Sequence, residues 1–296
     1  MRYALHGLIL DSPFPCPELP PASGVADVVV RLGEIERLPM EWREEGGCYK
    51  AASGRYLLAV PGVADYFVED GKAVTIAPAL HADEDALRLF FYHEVMGALL
   101  MQRGRLLLKG VAVERDGKAY AFIGPTPAGK TMLAAELCKQ GFKLIADGFL
   151  CLSDNEGLRI QPGLPRLMLW ERSLEELGIL HEGLKPVRSG MRRYFLMPGS
   201  SFCEQPLSPA CVYLLAFSNQ EGWSMDTLKG MEKLFVLLPH RLHGELEKGL
   251  GVAEAQYRLA ARLAGTADIK IIRYNDSHVT FAECIGHLKN ELGVTD

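Results

Sequence analysis

Up to about residue 78, apolar residues come in short runs broken by turn dipeptides, and this pattern predicts strands rather than helices. Val25 to Leu32, Cys48 to Ala52, Arg55 to Val60, Tyr66 to Glu69 and Ala73 to Ala77 are rich in β-branched and aromatic side chains. Ser53-Gly54 and Asp70-Gly71 between them carry hairpin chemistry, the second more strongly. Ser12 to Pro21 is too rich in proline for a helix or a central strand. It is either an extended arm packed along its own domain, the favoured reading, or a segment that docks in an aromatic groove.

From Asp83 to about Arg103 the period lengthens to that of a helix. Leu87, Phe90, Phe91, Val95, Leu99 and Leu100 share one face, with His93 near it as a core or boundary residue. Leu106 to Arg115 then predicts a strand, Asp116-Gly117 a tight turn, and Ala119 to Ile123 the return strand. Met132, Leu133, Ala135 and Leu137 mark a helix over Thr131 to Gln140. Phe149 to Ser153 and Leu158 to Ile160 flank the turn residues Asp154 to Gly157 as another hairpin. Leu174 to Leu177 reads as a short helix, Cys211 to Phe217 as a strand and Glu232 to Leu238 as a further strand. Arg241 to Lys248 and Ala253 to Ala264 read as helices, Asp268 to Tyr274 as a last strand and Val279 to Leu292 as a closing helix. The whole pattern predicts an α/β protein with a β-rich N-terminal domain over residues 1–80 and a larger α/β domain over 81–296.

Composition narrows what such a chain does. Its 296 residues suffice for one large or two ordinary domains, and a net charge of -5 removes any bulk attraction to nucleic acid or to an anionic membrane. No apolar run reaches the length of a membrane span, and the N-terminal residues lack a long apolar core. Seven cysteines form an odd set without a C-x-x-C pair, which points to reduced thiols in a cytoplasmic protein rather than a disulfide framework or zinc site. His240 and His243 have no accompanying carboxylate or cysteine spacing that would suggest a metal.

The chemistry concentrates in Gly124-Pro125-Thr126-Pro127-Ala128-Gly129-Lys130-Thr131, which satisfies G-x-x-x-x-G-K-S/T. In that loop, backbone N–H groups wrap phosphates, the lysine offsets their charge and the hydroxyl holds Mg²⁺. Here the loop lies between a predicted strand and a predicted helix, the order that aims a helix N-terminus at an anion. Gly124 to Met132 are therefore the expected nucleotide-binding residues, with ATP and Mg²⁺ as the expected ligands. Pro127 has no N–H, so binding leans on Lys130, Thr131 and the amides around Gly129.

Leu108-Lys109-Gly110-Val111-Ala112-Val113, the hairpin, the phosphate loop, Ala134 to Asp147 with its Leu144-Ile145-Ala146-Asp147 ending, and Gly163-Leu164-Pro165-Arg166-Leu167-Met168-Leu169-Trp170 together resemble the HPr kinase family. The likeness is closest to its HPr-kinase-related branch, which includes kinases that phosphorylate precursor peptides such as those of lasso peptides. It is good over about residues 100 to 200 and loose at the flanks. What it implies is a phosphoenolpyruvate-carboxykinase-like fold and ATP-dependent phosphorylation of a serine hydroxyl, in enzymes that often assemble as homo-oligomers. By the same likeness, Asp147 would take or orient the hydroxyl proton, the usual histidine would assist it and the second acid would help place metal; in this chain Thr131 and Asp147 are the residues left to hold Mg²⁺. Two positions depart from the family: Lys109-Gly110 stands where His-Gly is usual, and Asp147-Gly148 where Asp-Asp is common. Lys109 would add positive charge near the γ-phosphate or pair with Asp147. Gly148 supplies neither charge nor ligand.

Arg188, Arg192 and Arg193 form a basic cluster beside Gly190, as a loop reaching for phosphate or an acidic peptide would. Three functions stay open. The first is a kinase acting on a peptide or small protein; the others are an accessory protein that binds nucleotide without turning it over and a small-metabolite kinase. Neither the acceptor nor a preference between ATP and GTP is readable.

Overall fold

Asp70-Gly71 and Asp116-Gly117 each place two successive residues at positive φ, 50° and 63° in the first turn and 53° and 73° in the second. Asp followed by Gly tolerates that backbone, which closes a two-residue loop between Arg115 and Lys118 and a three-residue loop between Glu69 and Ala73. Strands lie on either side of both turns, so hairpins form where the dipeptides predict them. The computed structural model describes residues 1–35, 44–46, 48–126, 128–188, 190–219, 222–275 and 281–293. It is a mixed α/β structure with several sheets.

The chain divides into two compact units, the first made of Met1–Leu107, Cys151–Asp154 and Arg241–Ala260 and the second of Leu108–Leu150, Asn155–His240 and Ala261–Asp296. In the first, β1 (Arg2–Leu5), β2 (Leu8–Asp11), β3 (Val28–Leu32), β4 (Glu44–Glu45), β5 (Tyr49–Ala52), β6 (Arg55–Val60), β7 (Ala64–Glu69) and β8 (Ala73–Pro78) build one sheet. Their order is β1-β2-β3-β8-β7-β6-β5-β4. The β1–β2 hairpin was not apparent in the sequence, because Leu5-His6-Gly7-Leu8 has no strong turn signal except the left-handed His6 and Gly7, at φ 51° and 71°.

The proline segment is an arm along its own unit. Ala4 N donates to Pro20 O at 2.9 Å, Cys16 and Leu19 are buried, and Phe14 meets Phe91 edge-on with ring centroids 6.2 Å apart. The helical stretch has three parts: α1 (Glu84–Phe90), a π-helical turn over Phe91–Val95, and α2 (Met96–Gln102). Asp83 caps it, its Oδ1 accepting from Asp85 N at 2.9 Å. The wide turn lets Phe91, Tyr92, Val95 and Met96 all be buried.

The strands relevant to the site are β9 (Leu106–Arg115), β10 (Lys118–Ile123) and β11 (Lys143–Ala146). Next along the chain are β12 (Phe149–Ser153), β13 (Arg159–Gln161), β14 (Leu167–Trp170), β15 (Arg193–Leu196), β16 (Pro209–Phe217), β17 (Trp223–Thr227) and β18 (Asp268–Tyr274). β10 is antiparallel to β9 but parallel to β16, and β16 is parallel to β18. The carboxyl ends of β10, β16 and β18 therefore share one edge, the edge at which open α/β sheets bind ligands. β11 pairs with β9 on the far side of β10, and β14 pairs with β15 as a separate ribbon.

α3 (Lys130–Lys139) lays Leu133, Ala134 and Leu137 against Val111, Val113, Phe122, Tyr213 and Leu215. Phe122 stacks on Tyr213 with centroids 5.2 Å apart. Full burial of side chains of this size stabilises by about 1.5–3 kcal/mol each, enough to hold the loop between β10 and α3 in one place.

Two elements differ from the pattern-based expectation. Glu232 to Leu238 lies in a helix, Met231–Leu237, rather than in a strand. Its apolar run buries Leu234 and Leu237, three apart, while leaving Phe235 exposed, so the period of three won over a continuous apolar run. Arg241 to Lys248 is mostly turn, and the helix there covers only Leu246–Leu250. His243 at φ 51°, next to Gly244, interrupts it. The closing helix is Phe281–Glu291; Val279, where it was expected to begin, lies outside the described residues.

Candidate phosphate-binding site

β10 delivers the chain into the loop, and Gly124 is the first residue at which only glycine fits. Its φ is +145°, and a Cβ there would sit 2.5 Å from the Leu215 carbonyl oxygen on β16. The loop thus leaves the sheet pressed against the neighbouring strand. Ala128 N then donates to Pro125 O at 3.0 Å, and Gly129 takes a left-handed φ of 70° to start α3 at Lys130. No side chain caps that N-terminus, and an uncapped helix start offers N–H groups to an anion. Pro127 lies outside the described residues.

Lys130 folds back over this bend. Its Nζ donates to Gly124 O at 2.9 Å and Pro125 O at 2.8 Å. Burial pushes its pKa down, while the nearby Asp147 carboxylate opposes that shift. A polyanion placed in the bend would compete with the two carbonyls for the ammonium.

Asp147 closes the opposite side. It is 7% exposed; Oδ1 accepts from the Thr131 hydroxyl at 2.8 Å and Oδ2 from Met168 N at 3.0 Å. Burial raises its pKa, and the donors from Met168, Thr131 and the Gly148 backbone, with the charge of Arg193, act against the rise. Arg193 reaches in from β15. It donates from Nε and Nη2 to Met168 O at 3.4 Å, and its guanidinium lies 5.4 Å from the centre of the Trp170 ring.

These groups line a cleft of about 240 Å³ with Gly110, Thr126, Gly148 and Ser173. A Cβ at Gly110 would sit 2.6 Å from Phe122 O, and Gly148 has φ 88°. The position where the resembled family commonly has a second Asp is therefore built here on a backbone that L side chains rarely adopt.

The expected site residues divide by location. Gly129, Lys130, Thr131, Met132, Asp147 and Arg193 line the cleft together, as do Thr126 and Ala128. Gly124 forms the close approach to β16 and Pro125 is exposed beside it. Lys109 is exposed on β9, one residue before Gly110. Arg188 is exposed, and so is Arg192, whose Nε lies 3.6 Å from Glu171. Met168 and Trp170, which the resemblance includes without a role, also contribute. Met168 acts through its backbone N–H, which no side-chain pattern reveals, and Trp170 stands at the cleft mouth because the β14–β15 register places it opposite Arg193. Burial lowers the pKa of His240, as do the charges of Lys130 and Lys109, which puts it in the same electrostatic neighbourhood.

No family model matches this chain. No curated protein matches it either. Among solved structures, the HPr(Ser) kinase/phosphatase from Coxiella burnetii is similar to it over 63% of this chain and 95% of that one, with a TM-score of 0.35 and 8% sequence identity. Among the described residues, no helix is long and apolar enough to cross a membrane, and no group of three or more His, Cys, Asp or Glu side chains is placed to hold a metal on its own.

Proposed function

We propose that this chain is a cytoplasmic, ATP-dependent phosphotransferase with a phosphoenolpyruvate-carboxykinase-like P-loop core, passing a phosphoryl group to a serine or similar hydroxyl of a peptide or small protein. The observation that carries the reading is the 2.8 Å bond between Thr131 and Asp147. It joins the loop hydroxyl to a buried acid at the mouth of an uncapped helix, which is the pairing a P-loop enzyme needs to hold Mg²⁺ beside bound phosphates. Mg²⁺ is usually bound by one or two protein oxygens with phosphates and water completing the shell, so Thr131 and Asp147 are a fitting donor set without a three-ligand cage. The ion would supply charge neutralisation at the transferring phosphoryl group.

The chain's own groups account for the rest. Lys130 and the first amides of α3 hold and orient the phosphates. Arg193 faces Asp147 across the cleft and offers a second fixed positive charge to an anionic ligand. The acceptor oxygen attacks the γ-phosphorus, the bond to the β–γ bridging oxygen breaks, and ADP leaves with that electron pair. The hydroxyl proton passes to Asp147, the acid that lines the cleft. Transfer of this kind is mostly positioning and electrostatics, and both are supplied by elements anchored in one core.

One observation favours a second reading, a nucleotide-binding accessory protein. Both oxygens of Asp147 already accept hydrogen bonds, and the next residue is Gly148 on a left-handed backbone. Incubation with γ-labelled ATP and candidate peptides, with Mg²⁺ or Mn²⁺, separates the two. Label transferred to a peptide hydroxyl supports the kinase; saturable ATP binding without transfer under either metal supports the accessory role.

A further inference from the structure

The acid lies on one flank of the loop; the other flank carries two aromatic rings with no part in phosphate binding. Phe217 ends β16 and Tyr274 ends β18, at the carboxyl edge shared with β10. They are direct cross-strand partners with ring centroids 5.4 Å apart and planes inclined by 57°. The Tyr274 hydroxyl donates to the carbonyl of Ala128, inside the phosphate loop, at 3.2 Å. The row continues onto β17, where Trp223 lies opposite Tyr274, but that end is already filled: His287 stacks on Trp223 with centroids 4.5 Å apart. Phe217 remains 45% exposed.

We propose that Phe217, backed by Tyr274, is the stacking platform for the base of a nucleotide, an inference that rests on the phosphotransferase reading. Phe217 leaves part of its ring accessible at the end of the strand that pairs with the one feeding the loop. The occupant is fixed by continuity with the loop. A triphosphate held by Lys130 and the start of α3 has Asp147 on its β9–β11 side, so the nucleoside end has the β16–β18 side to occupy. Ligands of parallel sheets lie outside these carboxyl ends, and every base has a π-face for an aromatic ring to stack against. The bond from Tyr274 to Ala128 couples the platform to the loop, so that base and phosphates are read by one connected surface.

The test compares Mg-ATP with inorganic triphosphate, which has the charge and no base. Phe217→Ala is expected to weaken ATP binding by at least about fivefold while leaving triphosphate affinity unchanged. Phe217→Trp is expected to retain ATP binding, and the indole emission it adds to that of the parent should be quenched by ATP but not by triphosphate. If Phe217→Ala binds ATP as the parent does, or loses both ligands equally, the platform is overturned. The loop reading survives the first of those outcomes provided Lys130→Ala loses both ligands; a parent that binds neither ligand removes both proposals.

Discussion

The Thr131 hydroxyl and the Asp147 carboxylate meet at 2.8 Å although α3 and β11 separate them along the chain. Asp147 is held from a second direction by Met168 N, so its position is set by two elements at once. A residue positioned this way is expected to matter more for transfer than for binding. Asp147→Asn should leave ATP affinity close to that of the parent and lower the transfer rate by about two or more orders of magnitude. Single-turnover transfer and calorimetric ATP titration on one preparation check both halves, and equal rates would remove Asp147 from the chemistry.

Lys130 gives the simplest test of the loop. Its ammonium contacts two loop carbonyls, and those bonds are the ones a triphosphate would replace. Lys130→Ala should abolish measurable ATP binding, because it removes the charge that offsets the phosphates. Unchanged affinity would show that phosphate binds elsewhere.

The burial of Asp147 has a pH consequence of definite sign. Its folded pKa lies above the ordinary 3.8, so the native state keeps a proton that the unfolded chain has released. Its contribution to stability is then greatest below that value and is lost as pH rises through the folded pKa. The urea midpoint of Asp147→Asn minus that of the parent should therefore increase as pH rises above the ordinary carboxylate value of 3.8. A difference independent of pH would show that Asp147 is not desolvated.

In the other unit the sign is reversed. Complete burial, with a smaller contribution from His93, pushes His6 from 6.5 to about 3. The neutral imidazole contributes stability that is fully present above pH 6.5 and is lost as pH falls towards 3. The shift corresponds to at most roughly 4–5 kcal/mol. His6→Asn, which keeps a residue able to adopt the φ of 51°, should flatten the acid limb of the stability profile. An acid limb as steep as the parent's would assign it to other groups.

Gly124 tests the backbone itself. Gly124→Ala would place a Cβ 2.5 Å from Leu215 O at a φ that L residues rarely adopt. It should lower the melting temperature and weaken ATP binding together, since the loop must lift off β16. Parent-like values for both would mean that the loop has another way to leave the sheet.

Much of this protein is written in local patterns. Asp116-Gly117 forces a hairpin whatever surrounds it, the strand over Leu106–Arg115 was predicted to its end residues, and Met132, Leu133, Ala135 and Leu137 mark the buried face of α3. The phosphate loop is equally legible, because glycines and a lysine at fixed spacing answer to backbone geometry and charge. What stayed hidden depends on which surface a segment meets. Glu232 to Leu238 is apolar enough for a strand and became a helix, since only Leu234 and Leu237 found a core. Nothing in the sequence selects Arg193 over Arg188 and Arg192. The β14–β15 register does, by pairing Arg193 with Trp170 beside the amide that holds Asp147. Periodicity and turn chemistry act over a few residues and are determined by the sequence alone. The convergence of Lys130, Asp147, Met168 and Arg193 on one cleft joins segments distant along the chain, and packing decides it.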